Sequence, residues 1–155
     1  MVSGTTVQEA ITLNMLEALE AIDGPPDFAK RLTIYRMGGN ILGVPQLPCA
    51  ILIDAGADEE DGAANGTIQC SRRFDVVIGV QSSDSGWAAD IQAVCADVAA
   101  ELRRDWTRGG NAHTTRVDFE DIWDAPAEGE QPVAGGHVSV TVIYRHLYTD
   151  PTFAV

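Results

Sequence analysis

The run from Gly135 through His146, Gly-Gly-His-Val-Ser-Val-Thr-Val-Ile-Tyr-Arg-His, limits what this chain can fold into more than any other stretch. Val138, Val140, Val142 and Tyr144 alternate with Ser139, Thr141, Ile143 and Arg145. A period of two sustained over that length is the mark of a strand with one buried face. β-branched and aromatic residues dominate it, as a pleated, half-buried surface prefers. Gly135-Gly136 reads as the turn that opens the strand. Asp150-Pro151 reads as its end, because proline brings no amide to the ladder. At about ten residues the strand is long, so it is expected inside a sheet, with earlier strands beside it.

Those earlier elements follow from pattern and punctuation. Thr6-Val7-Gln8-Glu9 is a capping box in which Thr6 can bond the Glu9 amide and Glu9 can reach back. It predicts a helix over 7–22, with Ile11, Met15, Ala18, Leu19 and Ile22 as its apolar stripe and Asp23-Gly24-Pro25-Pro26 as its stop. Leu32 to Arg36 alternates as a strand, and Gly38-Gly39-Asn40 breaks it. Leu47-Pro48-Cys49-Ala50-Ile51-Leu52-Ile53-Asp54 is a short apolar run that suits a strand covered on both faces, with Pro48 at its first position. From Asp54 to Gly66 the chain reads as a flexible acidic loop crowded with Asp58, Glu59, Glu60 and Asp61; it lacks the ordered ligand spacing of a calcium loop. Asn65-Gly66-Thr67 reads as a turn. A strand over 67–81 places Phe74, Val76, Ile78 and Val80 on one face, with Thr67 to Cys70 either a separate short strand or the same one before a bulge. Ser82 to Gly86 is a turn that starts a helix, with Asp84 or Ser85 as its cap.

The second helix, 86–106, carries the cleanest amphipathic signal: Trp87, Ile91, Val94, Cys95, Val98 and Leu102 share one face. Asp84 and Asp90 near its start and Arg103, Arg104 and Arg108 near its end each oppose the helix dipole. That accounts for the arginines without a nucleic-acid site. Thr114 to Phe119 and Asp121 to Asp124 read as one or two strands, Ala125 to Gly136 as a loop, and 148–155 as a C-terminal tail. The whole predicts one α+β domain, 1–155, in which two long amphipathic helices pack on a mainly antiparallel sheet. Without βαβ alternation or a glycine-rich fingerprint, a Rossmann fold is disfavoured.

With a formal net charge of −13, the surface repels nucleic acid and favours a soluble free subunit. No apolar run is long enough to span a membrane, and Met1-Val2-Ser3-Gly4 lacks the basic start of an export signal. Cys49, Cys70 and Cys95 have no CxxC spacing and read as buried free thiols in a reducing compartment. No phosphate loop, HExxH pair or G-x-S-x-G elbow is present. His113, His137 and His146 lie in or beside strands, where histidines are more often structural than catalytic. No catalytic, cofactor-binding or metal-ligating residues are therefore expected, and the chain is expected not to be an enzyme.

The order of these segments resembles a known family. An N-terminal helix is followed by Leu47-Pro48-Cys49-Ala50-Ile51-Leu52, then by Arg73-Phe74-Asp75-Val76-Val77-Ile78-Gly79-Val80. An amphipathic helix with an arginine-rich end comes next, and then Val142-Ile143-Tyr144-Arg145-His146 closing at Asp150-Pro151. From Thr6 to Pro151 this is similar to the tail terminator proteins of long-tailed phages, the minor tail protein U-like group, also found in prophages and gene transfer particles. The resemblance implies a structural virion protein, made in the host cytoplasm, that forms a hexameric ring on the head-proximal end of the tail tube. Its implied partners are further copies of itself, the tail tube protein and a head completion or connector protein, with DNA passing through the lumen unbound. It carries over no site residues. Two other classes stay open: a neck or head-completion protein, and a small-molecule-binding or hydrolytic α+β domain.

Overall fold

The computed structural model describes residues 4–37, 46–62, 64–81, 86–125 and 133–155. They form α1 (Val7–Glu20), β1 (Thr33–Met37), β2 (Cys49–Asp61), β3 (Thr67–Gln81), α2 (Trp87–Arg104), β4 (Thr114–Ala125), β5 (Val133–Leu147) and β6 (Asp150–Ala154). The fold is α+β: two helices pack on a mostly antiparallel, curled mixed sheet ordered β1-β2-β3-β5-β4, with β6 added to β5. The long alternating strand lies inside the sheet as expected, with β3 along one side and β4 along the other. Among the described residues the one parallel pair is β1 with β2.

The core lies between the helices and one sheet face. Val138, Val140, Val142 and Tyr144 of β5 point into it with Phe74, Val76, Ile78 and Val80 of β3. From α2 come Ile91, Val94, Cys95, Val98 and Leu102, and from α1 Ile11, Met15 and Leu19. Trp87 is only partly buried and packs at the margin. Ile22 is buried, although α1 stops at Glu20. Thr6 Oγ1 accepts from the Glu9 amide (3.1 Å). The Glu9 carboxylate bonds Arg36 of β1 through both oxygens (2.7 Å each), which ties the start of α1 to the sheet edge. Helix α2 begins after Gly86, and the Asp84 and Ser85 expected to cap it lie outside the described residues.

Three segments differ from expectation. The acidic loop of 54–66 is largely strand: β2 runs on to Asp61 and pairs Asp58, Glu59, Glu60 and Asp61 with Ser71, Cys70, Gln69 and Ile68 of β3. All eight residues from Asp54 to Asp61 are exposed, so no hydrophobic period marks the strand. The backbone ladder carries it instead. A bulge between Asp54 and Ala57 interrupts the register, and Gly56 sits there at φ +101° with its amide on Asp54 Oδ1 (3.0 Å). This left-handed geometry suits glycine. The tail 148–155 is mostly β6, whose end hydrogen-bonds back to β5 through the Val155 amide and the Arg145 carbonyl (3.2 Å).

Gly135-Gly136 is not a turn but the interior of β5, which begins at Val133. A Cβ at Gly135 would fall 2.5–2.7 Å from the Trp123 ring, and one at Gly136 would run into Cys95 Sγ of α2. The glycines let an indole and a helix approach the backbone. Thr67–Gln81 is one unbroken strand, and Thr114–Ala125 is one strand with a bulge between Phe119 and Asp121.

The C-terminal end of α2 is held by polar contacts. Arg103 donates to the Val117 carbonyl (2.8 Å). Arg108, at φ +50° and fully buried, donates to the Leu102 carbonyl, one of the acceptors a helix end leaves open. Asp105 accepts from the Gly109 amide (2.7 Å), Thr107 Oγ1 (2.9 Å) and Asn14 Nδ2 of α1 (3.2 Å). Burial pushes its carboxyl pKa up, but the Thr107, Gly109 and Asn14 hydrogen bonds and the nearby Arg108 charge together hold it below the ordinary value.

Candidate functional site

Two places in the fold gather chemistry. The first is the distal half of the β2–β3 hairpin, where it meets β5, β6 and the start of α1. Strand β1 pairs only with Cys49 to Ile53 of β2, so from Asp54 onward β2 is itself the sheet edge among the described residues. Asp54 chelates Arg72 Nη1 through both oxygens (2.9 and 2.8 Å) and accepts from Gln8 Nε2 of α1 (3.2 Å). Arg72 Nε donates to the Tyr144 hydroxyl (3.3 Å). Burial lowers the Arg72 pKa, yet its bonds to Tyr144 and Asp54 leave the guanidinium above its ordinary value. It is a fixed cation with its charge already matched.

Next to this network Glu59, Cys70 and His146 come together. Their donor atoms lie within 4.8 Å of one another, and Cys70 Sγ stands 3.8 Å from Glu59 Oε1. Cross-strand register explains the meeting. Glu59 is directly opposite Cys70, Cys70 is opposite Tyr144, and His146 is two residues further along β5 on the same face. His146 Nδ1 is hydrogen-bonded to the Leu147 carbonyl (2.8 Å), so Nδ1 carries the proton in the neutral ring and Nε2 keeps its lone pair. A cleft of about 200 Å³, lined by Thr6, Gln8, Glu59, Tyr144, His146 and Pro151, opens beside the three. Cys70 is fully buried, and burial pushes its thiol pKa up. Cys49 and Cys95 are also buried free thiols; burial pushes Cys95 up to about 12.

The second place is the pair of sheet margins and the face without helices. His137 Nε2 meets Asp75 Oδ1 at 2.9 Å, and its Nδ1 lies 3.9 Å from Asp121. His113 Nε2 meets the Val155 carbonyl (2.7 Å) and so anchors the chain end beside β4. Among the described residues no hydroxyl or thiol is hydrogen-bonded to any of the three histidines. A groove of about 480 Å³ between Ala57, Asp58, Ser71, Arg73 and Thr141 crosses the strands beside the bulge. The outer margins are β1 and β4, each paired on one side only among the described residues. Near β4, Phe119, Trp123 and Trp106 are exposed.

Sequence patterning foresaw none of these groupings as a site, since each depends on register across strands. The three histidines do not converge: His146 joins the hairpin cluster, His137 the Asp75 pair and His113 the C-terminus. No protein-family model matches the chain, and no curated protein matches it in sequence.

Proposed function

We propose that this protein is a tail terminator of a long-tailed phage or phage-like particle: a structural subunit that closes into a ring, six-membered by the sequence resemblance, on the head-proximal end of the tail tube. There it stops tube growth and presents the surface on which a head completion protein docks. The observation that carries this reading is the pair of unlike sheet margins. A closed ring needs two different patches on each subunit that meet head to tail. Here one margin is β1, a short strand in parallel pairing that is tied to α1 through Arg36 and Glu9. The other is β4, a long bulged strand that carries exposed Phe119 and Trp123. Two margins of different length and side-chain character supply the two unlike patches that a head-to-tail contact needs.

The acidic half of β2 supports the same reading. Asp58, Glu59, Glu60 and Asp61 stand exposed in sequence on one strand. Repeated around a ring with these acids turned inward, they would line a passage in which DNA finds few cations to displace its counterions. DNA leaving the head would then pass without sticking. His137 is hydrogen-bonded to Asp75, and Arg72 to Asp54, contacts of the kind a structural subunit uses.

Electron microscopy of tails assembled with and without this chain tests the reading. Overlong tube polymers in its absence, shortened when it is supplied, are expected. Tails of uniform, normal length without it would overturn the assignment.

A further inference from the structure

We infer that Glu59, Cys70 and His146 form a Zn(II) site that clips the acidic half of β2 to β3 and β5. The donor set points to this class of ion. A thiolate, an imidazole and one carboxylate suit zinc, whereas calcium and magnesium take oxygen ligands throughout. The geometry is close to what the ion needs. Around a tetrahedral zinc, a sulfur at about 2.3 Å and an oxygen at about 2.0 Å lie about 3.5 Å apart. Cys70 Sγ and Glu59 Oε1 are 3.8 Å apart, and all three donors fall within 4.8 Å. Modest side-chain adjustments bring them to bonding distance. Glu59 is exposed and free to make most of that adjustment.

The surroundings favour an ion at this place. A ligating histidine characteristically donates its other ring N–H to a carbonyl, which fixes tautomer and orientation. His146 already does so through Nδ1 to Leu147. Arg72, the nearest cation on the same face, is turned onto Asp54 by two bonds. A thiolate and a carboxylate together balance the charge of a divalent ion. The fourth position faces the cleft beside Thr6, Gln8 and Tyr144, where a water can complete the tetrahedron. The consequence is mechanical. Among the described residues the exposed half of β2 has no strand on its outer side, and a metal bond from Glu59 to β3 and β5 adds a cross-link among exposed side chains. This inference stands on the hairpin geometry and does not depend on the ring.

The test is a titration of the reduced, chelator-treated full-length chain with Co(II), followed by displacement with Zn(II). One Co(II) per chain with a thiolate-to-metal charge-transfer band is expected, bleached by Zn(II) and unaffected by excess Mg(II). Cys70→Ser should abolish the band. Glu59→Gln, at an exposed position that leaves the fold intact, should weaken Zn(II) binding at least about tenfold, since even indirect partners of a ligand are worth that much. Zn(II) should also slow amide exchange in 57–61 and 68–70. Absence of a stoichiometric complex, a band that survives Cys70→Ser, affinity unchanged by Glu59→Gln, or exchange in the hairpin unaltered by zinc would each overturn the proposal.

Discussion

Gly136 offers the sharpest test of how helix and sheet meet. It lies in β5 opposite Ile78 of β3 and Ile122 of β4, on the face that α2 covers. A Cβ there would run into Cys95 Sγ, with Ile91 Cγ1 at 3.3 Å and Cδ1 at 3.5 Å. Cys95, Ile91 and Ile78 are fully buried, so none has space to retreat into. Inserting a methyl group into such a site costs about 1–3 kcal/mol. Gly→Ala also narrows the unfolded ensemble, which offsets about 0.4–1 kcal/mol. Gly136→Ala should therefore lower stability by up to about 2.6 kcal/mol. The cost should vanish largely in the Gly136→Ala/Cys95→Ala double variant, where the obstructing sulfur is gone. The coupling energy of that cycle should be about 1–2 kcal/mol and favourable, as for residues in direct contact. Urea unfolding followed by far-UV circular dichroism reads it, with an unchanged slope confirming that the midpoint reports stability. Gly135→Ala is the control: its Cβ meets Trp123, whose ring is partly exposed and can swing outward, so Cys95→Ala should not rescue it. Single effects of Gly136→Ala and Cys95→Ala that simply add would refute this account of the two glycines.

Leu102→Ala should cost about 2–5 kcal/mol, because Leu102 is fully buried beneath α2; a loss below about half a kcal/mol would show that this face of α2 is not core. Glu9 has its pKa lowered chiefly by its hydrogen bonds to Arg36. Its contribution is therefore present above the unfolded glutamate value of 4.5 and fades as pH falls through the lower folded value. Both partners are more than a third exposed, so solvent screening limits the pair to about 1 kcal/mol or less. Wild type and Glu9→Gln should converge in stability as the solution is acidified below that range, and a gap that widens instead would refute the sign. Subunits carrying −13 each repel one another, so self-association measured by sedimentation should strengthen as salt rises through about 0.15 M, where the Debye length is about 8 Å. Association that weakens with salt would place attractive ion pairs at the contact instead.

How much of this was legible in the chain depends on whether a face is buried. The alternation of Val138 to Tyr144 and of Phe74 to Val80 marks β5 and β3, because every second side chain enters the core. The Ile91-to-Leu102 stripe marks α2 for the same reason. Residues 54–61 and 150–154 carry no such mark. Residues 54–61 are exposed throughout and are held by the backbone ladder, while in β6 the half-buried positions are Asp150, Thr152 and Ala154 and the exposed ones Pro151 and Phe153, so no hydrophobic alternation shows in either. Gly135 and Gly136 misled for a related reason. Glycine signals a turn and a close approach with the same letter, and only the Trp123 ring and Cys95 across from them decide which. Of the two capping-box bonds, Thr6 to the Glu9 amide forms, whereas the Glu9 carboxylate is taken up by Arg36, 27 residues away.

The hairpin cluster shows why cross-strand chemistry is hidden even when each strand is recognised. On β3, Cys70 keeps phase with Phe74 and Val76, and on β5 His146 keeps phase with Tyr144 and Val142. Those two phases, on β3 and β5, follow from simple alternation. On β2, Ala50, Leu52 and Asp54 oppose Ile78, Val76 and Phe74, so uninterrupted alternation would send the even-numbered acids Asp58 and Glu60 toward Cys70 and turn Glu59 away. The bulge at Ala55 and Gly56 inserts one residue, after which Ala57 opposes Arg72 and Glu59 opposes Cys70. A one-residue shift exchanges the two faces of a strand. The glycine at φ +101° therefore selects which of four successive acids joins the thiol and the imidazole. The same insertion leaves Asp54 free to reach both Arg72 and Gln8, so one irregularity in the backbone sets the charge pattern of the whole distal hairpin.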